Sequence, residues 1–98
     1  MQDDDEPIFE LPIDGVLDLH TFAPREVGDL VPTWIDACRE RGIYALRIVH
    51  GKGTGSLRRT VHAILARRTD VIAFQLAPPE RGGWGATLVT LREDEQAK

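Results

Sequence analysis

The sequence predicts a small two-layer α/β sandwich in which two helices cover one face of a single sheet. Short apolar runs of strand length alternate with longer stretches whose apolar residues recur at helical spacing. Glycines and prolines mark the junctions between these runs. The predicted order is β-α-β-α-β-β. Right-handed crossovers make the first three strands parallel, and the last strand returns antiparallel.

The chain has 98 residues, which is enough for one hydrophobic core. It contains no apolar run of ~18–20 residues, and no basic-then-apolar signal segment opens it. Its single cysteine, Cys38, has no partner for an internal disulfide. We therefore expect a cytoplasmic protein that does not partner with a membrane.

Charge is distributed unevenly along the chain. Residues 1–10 carry five acids and no base, and residues 93–98 carry three acids and one lysine, so we expect two acidic tails, the first disordered. The domain between them, residues 11–92, holds eleven Lys and Arg against eight Asp and Glu. Residues 47–69 contain six bases and no acid. That pattern is typical of a surface that binds a phosphate backbone, although a solvated basic helix face is the alternative.

Alternation of apolar and polar residues predicts the first strand at residues 16–20. Leu17 and Leu19 are expected to face the helices, which leaves Asp18 and His20 on the open face or at the end of the strand. There the two side chains could hold each other's orientation, or they could be two solvated polar residues.

The first helix is predicted from Pro24, which suits a first helical turn, to the stop signal at Gly42. Its apolar stripe includes Trp34 and Cys38, which we expect in the core. Pro32 either kinks this helix or marks its true beginning.

The second strand is predicted at residues 44–49 and ends at His50, and the second helix at residues 56–68. We expect His62 at the surface or boundary of this helix, with no catalytic role. The helix residues expected to be buried are Leu57, Val61, Ile64 and Leu65.

The third strand is predicted at residues 71–77, with Ile72, Phe74 and Leu76 facing inward. A loop at residues 78–85 and a fourth strand at residues 86–91 complete the domain.

The turn HGKGTG at residues 50–55 joins the second strand to the second helix. Glycines let the backbone pass close to a ligand, and the helix start presents unpaired N–H groups and the positive end of its dipole. Lys52 adds a mobile positive charge. Phosphate is the expected guest, although a purely structural glycine turn is the alternative.

The two parallel strands end at His20 and His50, so both histidines are expected at the same edge of the sheet. One imidazole would accept a proton from the nucleophile and the other would donate one to the leaving oxygen of a phosphodiester. Lys52 and the turn amides would stabilise the charge that builds on the phosphoryl oxygens. Alternatively, both histidines only hydrogen-bond a loop.

Three motifs stand in fixed order: LDLH at residues 17–20, HGKGTG at 50–55 and GGWGAT at 82–87. Together they resemble the Smr domain, the small MutS-related module found at the C-terminus of MutS2 proteins and as free-standing proteins. The resemblance spans residues 17–91, and the chain is identified as a free-standing member.

The resemblance implies a fold like the C-terminal domain of translation initiation factor 3, with strand order 1-2-4-3. It also implies nucleic-acid binding and, as in several members, nicking or RNA-cleaving endonuclease activity, linked to DNA repair and recombination or to RNA processing. The candidate catalytic residues are Asp18, His20 and His50. The candidate nucleic-acid-binding residues are Gly51, Lys52, Gly53, Thr54, Gly55, Arg58, Arg59, Gly82, Gly83 and Gly85.

Several alternatives stay open. The family usually has glycine after the LDLH motif, and here Thr21 stands instead, so the domain could bind DNA or RNA without cleaving it. It could also be a protein-interaction adaptor. Asp18 has no carboxylate cluster around it in sequence, so no preformed metal site is predicted, while Mg²⁺ bridging the substrate phosphate is an open alternative. Trp84 permits base stacking or dimerisation, and the oligomeric state is not predicted beyond a possible monomer.

Overall fold

The computed structural model describes residues 13–93. Within this range the chain forms two α-helices and four strands, with two 3₁₀ turns, Pro79–Arg81 and Gly83–Gly85, between the last two strands. The elements are β1 (Val16–Asp18), α1 (Pro24–Glu40), β2 (Ala45–Val49), α2 (Ser56–Arg67), β3 (Val71–Leu76) and β4 (Ala86–Leu91). Their ends differ from the predicted ones by at most two residues. The tails predicted at residues 1–10 and 93–98 lie outside the described residues, apart from Glu93, and stay predictions.

The four strands form one mixed sheet in the order β1-β2-β4-β3. β1 pairs parallel with β2, whereas β4 lies between β2 and β3 and pairs antiparallel with both. Asp18 lies opposite Val49 at the ends of β1 and β2. We call this side of the sheet, where β1 and β2 end, the carboxyl edge. The predicted fold class and strand order are confirmed.

One hydrophobic core lies between the sheet and the two helices. Leu17 and Leu19 are buried, as their alternation predicts, and so are Trp34 and Cys38 on α1. Pro32 lies inside α1, which begins at Pro24, so a helix start at Pro32 is wrong. The α2 residues in the core are Val61, Ile64 and Leu65, with Leu57 only partly buried.

The inward face of β3 differs from the prediction. Ile72 is 63% exposed, because a bulge shifts the register between Val71, which lies opposite Leu91, and Ala73, which lies opposite Thr90. One extra residue reverses the alternation, so Val71 replaces Ile72 on the helix side. Phe74 is partly buried as predicted, whereas Leu76, at the end of this edge strand, is exposed.

Candidate nucleic-acid interface and catalytic edge

The glycine turn after β2 and the loop before β4 are tied together at the carboxyl edge. The backbone N–H groups of His50 and Gly51 both donate to the Gly85 carbonyl, each at 2.9 Å. Gly85 is buried, and a Cβ on it would lie 3.5 Å from Lys52 Cγ and 3.6 Å from the Gly51 backbone. The second and third sequence motifs therefore meet through direct backbone hydrogen bonds.

The start of α2 gathers positive charge. Gly55 caps the helix in the left-handed conformation, with φ of 89°, and the first turn contains no acidic residue. A Cβ on Gly55 would lie 2.8 Å from Arg58 Nη2 and 3.2 Å from Arg59 Nη1, so both guanidiniums fold back over the turn. Neither arginine, nor Lys52, forms an ion pair with another residue in the range 13–93. These charges add to the positive end of the helix dipole and favour an anion there.

Two depressions flank Lys52. The first, of about 250 Å³, is lined by His50, the glycine turn, the first residues of α2 and Pro24. The second, of about 400 Å³, is lined by Lys52, Pro79, Gly82, Gly83 and Trp84. The predicted nucleic-acid-binding glycines of both motifs thus surround one lysine.

Asp18 and His20 form a hydrogen-bonded pair at the end of β1. The Asp18 Oδ1 atom accepts from the backbone N–H of His20 at 3.0 Å and from its ring Nδ1 at 2.8 Å. These two hydrogen bonds, the backbone one first, hold the pKa of Asp18 below its usual value. Because a carboxylate only accepts, Nδ1 carries a proton, and the tautomer with this proton has its lone pair on Nε2. The His20 side chain is 73% exposed, so this nitrogen is open to a ligand.

His50 occupies a different environment from His20. It continues the inward alternation of Leu46 and Ile48 and is only 5% exposed. Its Nδ1 lies 3.1 Å from the Gly51 carbonyl and its Nε2 lies 2.8 Å from Thr87 Oγ1. Burial is the main cause that lowers the pKa of His50, so the ring is neutral at pH 7.

Thr87 joins His50 to His62. The His62 Nε2 lies 2.7 Å from the same hydroxyl, and the two imidazoles meet edge to face with centroids 6.1 Å apart. Since the Gly51 carbonyl only accepts, neutral His50 donates through Nδ1 and accepts the Thr87 proton at Nε2. Thr87 then accepts from His62. This chain locks the end of β2 to β4 and α2.

The structure gives each predicted catalytic residue a different setting. Asp18 and His20 lie together with a free ring nitrogen, whereas both ring nitrogens of His50 contact protein atoms. The catalytic assignment of all three stays a prediction. His50 has the contacts expected of a residue that positions the glycine turn.

Sequence reasoning did not find the role of His62 and Thr87. His62 is half-buried, as expected of a boundary residue, but it hydrogen-bonds Thr87 and packs against Phe74 with centroids 4.9 Å apart. Burial, followed by repulsion from His50 and Arg58, lowers its pKa. The inward phase of Thr87 on β4 was the available signal, because a buried hydroxyl needs a hydrogen-bond partner.

The basic block at residues 47–69 divides in space. Three of its six bases, Lys52, Arg58 and Arg59, lie at the glycine turn, whereas Arg47 lines a separate depression with Asp14. Arg68 donates to Asp70 through Nε and Nη2 at 2.9 and 2.8 Å, and to Asp36 at 2.7 Å. Only half of the block therefore faces the candidate site.

No cluster of three or more His, Cys, Asp and Glu side chains suited to a metal ion occurs within the described range. Separately, neither of the two described helices is long and apolar enough to cross a membrane.

The part of the chain that matches a known family contains all three motifs. The Smr domain family model matches residues 17–92. The chain belongs to the Smr domain family. The match begins at the first residue of LDLH and continues one residue beyond β4, so it covers the described sheet except for Val16 at the start of β1.

Two solved Smr structures share its fold. The crystal structure of the Smr domain of Thermus thermophilus MutS2 superposes with a TM-score of 0.74 at 39% identity, covering 79% of this chain and 96% of that one. The stand-alone small MutS-related protein YdaL from Escherichia coli gives a TM-score of 0.76 at 31% identity, covering 83% and 66%.

The curated relatives include two kinds of larger protein, named Endonuclease MutS2 and Ribosome rescue factor SmrB. Endonuclease MutS2 of Solidesulfovibrio magneticus is 46% identical over 59 residues, which are 60% of this chain and 8% of that protein. Ribosome rescue factor SmrB of Proteus mirabilis is 36% identical over 92 residues, which are 94% and 48%. The Smr domain described here thus spans less than half the length of either relative.

Proposed function

We propose that this Smr domain binds nucleic acid at the carboxyl edge and cleaves a phosphodiester there, with His20 as the general base. The observation that carries the proposal is the Asp18–His20 pair. The 2.8 Å hydrogen bond fixes the imidazole tautomer and leaves Nε2 exposed at the end of β1, which lies alongside the end of β2 where the basic glycine turn begins. An imidazole oriented in this way by a carboxylate is the arrangement that proton transfer requires.

The reaction needs one proton acceptor at the attacking oxygen. The oxygen of a water molecule or of a ribose 2′-hydroxyl forms a bond to phosphorus, and its proton passes to His20 Nε2. The bond between phosphorus and the leaving oxygen breaks, and that oxygen takes one proton from surrounding water. Asp18 stabilises the imidazolium that forms, which returns its proton to solvent.

The glycine turn supplies the anion site in this proposal. Lys52, Arg58 and Arg59 have no acidic partner within residues 13–93, and the start of α2 adds its dipole. A phosphate held against these groups would have the negative charge on its oxygens stabilised as the nucleophile attacks. His50 acts as a positioning residue, because its two hydrogen bonds hold the turn to β4.

A cleavage assay on supercoiled plasmid and structured RNA, with and without EDTA, tests the proposal. His20→Ala and Asp18→Asn should each lower the cleavage rate about a hundred-fold or more, since general-base catalysis contributes that much. Both side chains are more than half exposed, so folding should be unchanged. Glu40→Ala, an exposed change at the far end of α1, is the matched control.

Unchanged cleavage in His20→Ala would reject the assignment of the base. Loss of activity in EDTA that Mg²⁺ restores would show that cleavage requires a metal ion, which would enter the site bound to the substrate phosphate. Cleavage of one substrate and not the other would decide between DNA and RNA.

A binding module without catalysis is the second candidate, and the cations at the turn, which have no acidic partner among the described residues, favour it independently of His20. Wild-type protein that cleaves neither substrate, yet shifts both in gels with a steep salt dependence, would support this reading. The adaptor alternative predicts no such salt dependence with nucleic acid. A role in DNA repair or in RNA processing stays a proposal, as do the cytoplasmic location and a monomeric state.

A further inference from the structure

We propose that Trp84 holds an unpaired nucleobase by stacking, directly beside the phosphate that Lys52 binds. This inference rests on the proposed function and adds the class of substrate, which is a single-stranded region of nucleic acid. Duplex bases already stack on one another and reach an external indole only after they leave the helix.

The exposure of Trp84 is the first argument. It is 68% exposed, whereas Trp34, the other tryptophan, is fully buried. A tryptophan can bury a large apolar area, and this one contributes little of it to the core. Its indole is available for a ligand.

The indole is presented by a rigid backbone. Gly83 N–H donates to the Pro78 carbonyl at 3.0 Å, and Gly85 N–H donates to the Gly82 carbonyl at 3.0 Å. The Gly85 carbonyl in turn accepts from His50 and Gly51, so the 3₁₀ turn that carries Trp84 is anchored to the phosphate-binding turn. A backbone held in this way loses little conformational freedom when a ligand binds.

The surroundings of Trp84 fit a nucleotide. The depression of about 400 Å³ beside it is lined by one cation, Lys52, and by no acid. Its other lining residues, Pro79, Gly82 and Gly83, leave space for a flat ring to approach the indole. Since Lys52 also lines the depression at the glycine turn, a phosphate and an adjacent base can be held together. A specific protein interface buries about 800 Å² of surface on each side, which is several times what one indole can provide.

Fluorescence titration tests the inference. The probes are a pyrimidine oligonucleotide, an abasic oligonucleotide with the same number of phosphates, and a blunt duplex. Stacking should quench Trp84 with the pyrimidine strand only, while buried Trp34 supplies an unquenched background. Trp84→Ala should weaken binding of the pyrimidine strand about ten-fold, in the range known for base–aromatic stacking, and should leave binding of the abasic strand unchanged.

Two further variants sharpen the result. Trp84→Phe keeps an aromatic face and should retain most of the affinity. Lys52→Ala should weaken both single strands by a similar factor, because it removes a phosphate contact that does not depend on the base.

Equal affinity of the wild-type protein for pyrimidine and abasic strands would overturn the stacking inference and leave the proposed function intact. A loss of self-association in Trp84→Ala, with unchanged oligonucleotide affinity, would assign the indole to a dimer contact and also overturn it. Failure of every oligonucleotide to bind would reject the proposed function together with the inference.

Discussion

The two ends of α2 carry arginines in opposite circumstances. At the N-terminal end, Arg58 and Arg59 fold over Gly55 with no acidic residue in the first turn. At the C-terminal end, Arg68 is held by Asp70 through two hydrogen bonds and by Asp36 through a third. Cations stabilise a helix C-terminus and destabilise an N-terminus, since the helix dipole is positive at its start.

This difference separates a structural cluster from a binding surface. The acids around Arg68 neutralise it, and their hydrogen bonds stabilise the fold. The N-terminal arginines instead oppose the dipole, so their presence is unfavourable for the isolated domain. A phosphate bound at the turn removes this conflict, which is why the N-terminal end is the better candidate for nucleic acid.

The largest predicted effect concerns the C-terminal cluster. Asp70→Asn should lower the free energy of unfolding by about 3 kcal/mol, because Arg68 and Asp70, whose side chains are 18% and 11% exposed, lose a shielded ion pair. Urea denaturation measures this change. Nucleic-acid affinity of the folded fraction should not change, and a loss of affinity would mean that the two ends are not independent.

The next effect concerns affinity at the N-terminal end. Arg59→Gln should weaken binding to a single-stranded oligonucleotide several-fold and reduce the salt slope by about 1, as expected when one phosphate contact is lost. Arg67→Gln removes another exposed charge, from the other end of the helix, and is the matched control. Gel shifts at several salt concentrations provide the comparison. Equal losses in the two variants would show that only net charge matters.

The His50–Thr87–His62 chain and the Arg68–Asp70 pair should also lose their stabilising effect in different pH windows. The pKa values of His50 and His62 are lowered in the folded protein. Below about pH 6.5 the unfolded chain therefore binds more protons at these two residues than the folded protein does. Stability should be fully present above that pH and fall below it. Hydrogen bonds from Arg68 are the main cause that lowers the pKa of Asp70 from 3.8, so the stability it contributes should be lost as the pH falls below about 4.

Urea denaturation from pH 3 to pH 8 separates these windows. His62→Gln should flatten the decline that begins near pH 6.5 and leave the lower one, whereas Asp70→Asn should do the reverse. A single decline that neither variant alters would show that other groups control the acid response.

Much of the fold follows from local patterns. Alternation predicts that Leu17 and Leu19 face the core, and the glycine turn marks the junction of β2 and α2. The inward placement of Ile72 is wrong because a bulge adds one residue without a local sequence signal, so Val71 faces the core instead, while Phe74 beyond the bulge keeps its predicted face. The alternative that the first helix begins at Pro32 is wrong because the apolar residues before and after Pro32 both pack into the core.

The site was less predictable than the fold. The alternation of Leu46 and Ile48 already places His50 inward, so its separation from exposed His20 could be deduced by extending the strand pattern by one residue. The contact between His62 and Thr87 depends on which strand lies beneath α2, which no local pattern reveals. The pairing of Arg68 with Asp36 likewise requires the packing of α1 against α2.

The smallest predicted effect tests the comparison most directly. Arg59→Glu places a negative charge near the positive end of the helix dipole and should raise the free energy of unfolding by about 0.5 kcal/mol. Arg67→Glu makes the same change at the other end and should lower it by a similar amount. Both side chains are exposed, so packing should not obscure the sign.

Arg59→Glu should also weaken oligonucleotide binding more than Arg59→Gln does, because it repels phosphate. A gain in stability together with a loss of affinity would establish that Arg59 is retained for a ligand, whereas destabilisation by both changes would show that Arg59 contributes to the fold as Arg68 does.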